Sequence, residues 1–139
     1  MPILQVKLSA PSSSTLSQQV AAALGELTAR VLGKQPDVTV VTVDYVDPAH
    51  WLVGGRSLAG HGLTSFFLDI KVTEGTNTKD EKAAYQRQVF ARLSELLGPL
   101  HPVSYVLVHD VRAEAWGYEG LTQEFRYVQR QLPAVAVDR

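Results

Sequence analysis

A chain of 139 residues, 45% hydrophobic and 19% charged with a formal net charge of -1, has the length of one domain and can bury a core of its own. The near-neutral balance excludes the basic footprint of a nucleic-acid binder and the composition of a disordered segment. The lack of any Cys excludes disulfides, thiolate nucleophiles and Cys-ligated zinc. The start shows no basic segment ahead of an apolar stretch, and no run approaches a membrane-spanning length. The expectation is a soluble, cytoplasmic protein of one domain over 1–139, with neither nucleic acid nor membrane as partner.

The period-2 run Pro2–Leu8 predicts a strand with Pro2, Leu4, Val6 and Leu8 on one face. Ser12-Ser13-Ser14 offers N-cap oxygens to a helix whose apolar residues Leu16, Val20, Leu24, Leu27 and Val31 recur at spacings of three and four. Gly33 ends it. The β-branched run Val38–Val43, continuing to Val46, predicts a mostly buried strand. Strand, helix, strand of these lengths is a parallel crossover unit.

The pattern then repeats. Phe66–Val72 predicts a strand, and Thr78 with Glu81 has the form of a capping box. Tyr85, Val89, Phe90, Leu93, Leu96 and Leu97 supply a helical apolar face, Gly98-Pro99 closes it, and Val103–Val108 predicts a further strand. Leu32-Gly33, Val46, Trp51 and Gly55 recur as Leu97-Gly98, Val111, Trp116 and Gly120, a spacing of about 65 residues. The chain therefore divides into a first βαβ unit over 2–60, a second over 65–125 and a tail over 126–139, with the glycine-rich stretch 54–62 as the joint. The fold class is α+β: two tandem βαβ units forming a four-stranded mixed sheet with two helices on one face. The other face, expected to be apolar, calls for a cover, and self-association is the simplest one.

If Met1 is removed, Pro2 becomes a free secondary amine. An α-amino group titrates near 8 in water, and burial disfavours its charged form. A neutral amine can take the proton α to a carbonyl and return it elsewhere, a general-base step worth roughly 10²–10⁴ in rate. His50, His61, His101 and His109 lack metal-ligand spacing, so no metal is expected. The serine cluster has no basic partner placed by sequence. Glu114 and Glu119 flank Trp116 as solvated loop charges or acid-base groups.

The opening Met1-Pro2-Ile3-Leu4-Gln5-Val6, the stretch His50-Trp51-Leu52-Val53-Gly54-Gly55 and the doubling of the unit together resemble the tautomerase superfamily. The start is similar to 4-oxalocrotonate tautomerase. The doubling is similar to fused members such as malonate semialdehyde decarboxylase and the cis-3-chloroacrylic acid dehalogenases. The resemblance implies a homotrimer and a cofactor-independent tautomerase or isomerase acting on a small 2-oxo or enol acid, with Pro2 as general base and the pocket shared between subunits. A proline-dependent hydratase, dehalogenase or decarboxylase, or a non-catalytic binding module, are the alternatives it leaves open. Two arginines expected from 4-oxalocrotonate tautomerase are replaced by Ser12 and Val40, and Val72–Thr76 lacks those of the fused branch. Arg56, Arg112 and Arg126 are the substitutes available. Trp51 matches a pocket phenylalanine, Tyr118 falls near an aromatic position of the decarboxylase branch, and Asp37 lies one position from an aspartate of that branch. Each of these also has a structural reading, as core, subunit-contact or turn residue. Phe66 stands where the second unit would have its proline, so one site per subunit is expected.

Overall fold

The structure is a computed structural model that describes residues 2–132. Each predicted helix is built by the caps read from the sequence. Ser13, in extended backbone, accepts the Leu16 N–H at 3.1 Å and starts α1 (Ser14–Leu32). Gly33, left-handed at φ 69°, ends it by returning its N–H to Ala29. Thr78 and Glu81 exchange both bonds of a capping box, at 3.1 and 2.8 Å, ahead of α2 (Lys79–Leu97). Asn77 donates to the Leu32 carbonyl at 2.9 Å, so the end of the first helix is capped by the residue that leads into the second.

Strands β1 (Ile3–Leu8), β2 (Val40–Tyr45), β5 (Phe66–Thr73) and β6 (Tyr105–Val111) form one sheet in the order β2-β1-β5-β6. Pairing is parallel within each unit and antiparallel between units, β1 against β5. Two-residue strands β3 (Leu52–Val53) and β4 (Arg56–Ser57) make a hairpin after β2, and β7 (Gly117–Tyr118) and β8 (Leu121–Thr122) make its counterpart after β6. From α1 and α2 to β4 and β8, each element starts 65 residues after its counterpart, as Ser14 to Lys79 and Val40 to Tyr105. A third helix not anticipated in the fold class, α3 (Gln123–Gln131), runs from β8 across the 125/126 boundary. The expected tail beyond 132 lies outside the described residues. Among those residues, no helix is long and apolar enough to cross a membrane.

Both helices pack on the face formed by Leu4, Val6, Leu8, Phe66, Leu68, Ile70 and Val72, all buried, against Leu24, Leu27, Val89 and Leu93. Across the helix pair, the buried Thr28 and Tyr85 hydroxyls meet at 2.9 Å.

Two expectations are corrected. Pro36 opens a 3-10 turn that takes Val38 out of the strand, and β2 is an edge strand rather than a mostly buried one, with Val40 half exposed. The open sheet face is also not uniformly apolar. Its central strands place Gln5, Lys7, Asp69 and Lys71 there, with Lys71 and Asp69 paired at 3.0 Å, while Ile3, Val40, Tyr105 and Leu107 sit toward the start of β1 and the outer strands. The stretch 54–62 is partly structured: Gly54 and Gly55 take positive φ in the β3–β4 turn, and Leu58 is buried.

Candidate active site

Because β1 and β5 are antiparallel, the start of β1 lies beside the ends of β5 and β6. The segment leaving β6 is thereby delivered to Pro2. Pro2 is buried, and its carbonyl accepts the Val40 N–H at 3.2 Å. It opens on a cleft of about 330 Å³ whose floor and one wall are Pro2, Ile3, Val38 and Val40. Trp116, Gly117, Tyr118 and Gln123 form the opposite wall.

That wall is held in place by backbone chemistry. Glu119 and Gly120 take φ of 58° and 77° in the turn of the β7–β8 hairpin, and Glu119 is the one non-glycine with positive φ among the described residues. Its counterpart in the first hairpin is Gly54. A Cβ on Gly117 would overlap the carbonyl oxygen of Leu121, so only glycine fits between Trp116 and Tyr118. The Trp116 indole N–H donates to Thr73 Oγ1 at 3.2 Å.

Arg126 locks the hairpin from behind. Its guanidinium lies 3.8 Å over the Tyr118 ring and donates to the Tyr118 carbonyl at 3.0 Å. Glu119 is a weaker partner at 3.5 Å. The Arg126 side chain is only 16% exposed, and its Nε is buried without a partner.

A second, more polar cleft of about 670 Å³ adjoins the first and shares Gln123 with it. Its walls include Lys34, Arg130, Glu74 and Tyr127. Lys34 donates to Thr76 Oγ1 at 2.9 Å. Burial holds its ammonium pKa below the ordinary lysine value, against the opposing pull of Glu81 and Asp110.

The structure thus brings Tyr118 to Pro2 and puts Arg126 one layer behind it. It does not bring the other candidates there. Asp37 is exposed in the 3-10 turn, next to the lining residue Val38. Trp51 follows β2 at the opposite end of the sheet, where its carbonyl accepts the Leu58 N–H. Arg112 points to solvent, 72% exposed and 2.9 Å from Glu114. Arg56 is exposed in the first hairpin. Among the described residues, no group of His, Cys, Asp and Glu is arranged to hold a metal.

Trp116, Val38, Gln123, Lys34 and Arg130 went unrecognised as site residues. Trp116 stood in the repeat as the partner of Trp51, and only the antiparallel joining of the units decides that it, rather than Trp51, reaches Pro2. At the other end of the sheet the first hairpin lies by the start of β5, where Phe66 is internal and carries no amine.

Residues 2–60 match the tautomerase enzyme family. No curated protein matches the chain. Among solved structures, Pt0534 inactivated by 2-oxo-3-pentynoate superposes with a TM-score of 0.78 at 14% identity, over 89% of this chain and 98% of its own. The wild-type Q0 fused 4-OT, a symmetric trimer, gives 0.77 at 18% identity over 88% and 96%. A macrophage migration inhibitory factor-like protein from Entamoeba histolytica gives 0.72 at 21% over 87% and 97%. The tautomerase-family match thus lies within residues 2–60, and over nearly its whole length the chain shares the fold of the fused two-unit 4-OT structures.

Proposed function

We propose that this protein is a cofactor-independent, cytoplasmic tautomerase in which the Pro2 amine, freed by removal of Met1, is the general base toward a 2-oxo or enol acid. The observation that carries this reading is the burial of Pro2 in a largely apolar cleft that Trp116 and Tyr118 also line. An apolar setting disfavours an ammonium and keeps the amine able to accept a proton near neutral pH. The amine takes a proton from the carbon next to the carbonyl. The C–H pair becomes the C=C bond, the carbonyl π pair moves to oxygen, and the oxygen is protonated from solvent as the amine releases its proton there. The substrate carboxylate turns toward the adjoining cleft, where Lys34 and Arg130 supply the positive charge that Ser12 and Val40 do not.

The working unit is a homotrimer, as the wild-type Q0 fused 4-OT is. The exposed Ile3, Val40, Tyr105 and Leu107 of the open sheet face are the surface that assembly would cover. Asp37, Trp51 and Arg112, outside the cleft of their own chain, are then candidate contributions to a neighbour's.

Pt0534 is inactivated by 2-oxo-3-pentynoate, and the same ynone tests the reading here, because a neutral amine adds to its triple bond. The expected result is one adduct per chain on the N-terminal peptide, carried on the Pro2 nitrogen, with loss of tautomerase activity. Full activity after exposure, with the N-terminal peptide unlabelled, would refute it.

A further inference from the structure

We infer that Gln123 is the hydrogen-bond donor to the substrate carbonyl in the Pro2 cleft, an inference that rests on the tautomerase reading. Abstraction of a proton beside a carbonyl places negative charge on its oxygen, and a donor preorganised for that oxygen is commonly worth 10²–10³ in kcat. Three side chains of the cleft carry a polar hydrogen: Trp116, Tyr118 and Gln123. The Trp116 N–H is already committed to Thr73. Tyr118 is more than one-third exposed, so water competes for its hydroxyl. Gln123 is only 6% exposed.

The backbone N–H of Gln123 is spent on the Trp116 carbonyl at 2.9 Å, which fixes the first residue of α3 against the hairpin. Its side-chain amide makes no hydrogen bond among the described residues, yet neither of its polar atoms is buried without a partner, so the small surface the residue keeps includes the amide. An amide so placed takes its hydrogen bonds from water or from a ligand. It lines two clefts, one with Pro2 in its lining and the other with Lys34 and Arg130. A 2-oxo acid has its carbonyl one bond from its carboxylate, so a carbonyl at this dividing wall lets the base act on one side while the carboxylate reaches the cations on the other. The amide is neutral, so it stabilises the developing oxyanion without raising the charge of the apolar cleft.

The test compares kcat and KM for enol-to-keto conversion of phenylpyruvate in the native protein, Gln123→Leu, Gln123→Glu and Pro2→Ala. Leucine keeps the bulk without the donor, and glutamate keeps the shape but replaces the donor by an acceptor. The expected result is a fall in kcat of about 10²–10³ in both Gln123 variants, with the KM of Gln123→Leu within about threefold. Gln123→Leu turning over within threefold of native while Pro2→Ala is impaired would overturn the inference and leave the tautomerase reading standing. Native rates in Pro2→Ala would overturn both. If Gln123→Leu does not fold, as judged by far-UV circular dichroism, Gln123→Glu alone decides on the same kcat criterion.

Discussion

Tyr85 gives the structure a built-in sensitivity to alkali that can be worked out in advance. Its ring is buried between the two helices, and its hydroxyl lies 2.9 Å from Thr28 Oγ1. Thr28 donates its own proton to the Leu24 carbonyl at 2.6 Å, so the tyrosine is the donor of the pair. Burial pushes the Tyr85 phenol up from 10.0 to about 12. A folded-state pKa above the unfolded one means that stability is intact below pH 10 and falls as pH rises toward 12. The full loss is about 3 kcal/mol, with about half of it gone by pH 11. Tyr85→Phe removes this sensitivity but leaves a Thr28 lone pair unmatched, at a cost of about 1 kcal/mol at neutral pH. Urea unfolding at fixed protein concentration between pH 7 and 11.5 reads both effects. The native protein should be the more stable below pH 10, and the two curves should cross near pH 11. Parallel decline of the two variants would show that the alkaline loss does not arise at Tyr85, and the reasoning would fail.

Gly117→Ala forces the hairpin away from Leu121 and should cost about 10²-fold in kcat/KM for phenylpyruvate, since the aromatic wall moves with it. A variant within threefold of native would show that the hairpin does not position the site. Arg126→Lys keeps the charge but loses the planar stack and its aligned donor, so kcat/KM should fall about tenfold. The near-UV circular dichroism of the aromatic wall should change with it. Lys34→Met should raise KM for a 2-oxo acid about tenfold with kcat nearly unchanged, the pattern of lost uniform binding.

Much of this architecture is legible in the sequence. The caps at Ser13, Gly33 and Thr78 and the period-2 face of β1 are local signals, legible because the groups they satisfy lie within a few residues. The repeat was equally plain, since Trp51 and Trp116 stand at matching places in the two units. What remained hidden is long-range. A run such as Val38–Val43 looks the same whether the strand is central or at an edge, and only the order β2-β1-β5-β6 leaves Val40 exposed. The two tryptophans are likewise equivalent in sequence, and the choice between them follows from the antiparallel β1–β5 contact. Gln123 carried no signal at all: it is one polar residue at the start of an amphipathic helix, and its burial between two clefts depends on elements up to 120 residues earlier in the chain.

The central claim is that the Pro2 nitrogen is the base. Its most direct test is kcat/KM for phenylpyruvate enol-to-keto conversion in Pro2→Ala beside the native protein, with removal of Met1 checked by intact mass in both. Alanine leaves a primary amine at the terminus without the rigid ring, so the expected loss is about 10²-fold, at the lower end of the range for a general base. Equal values in the two proteins would contradict the account.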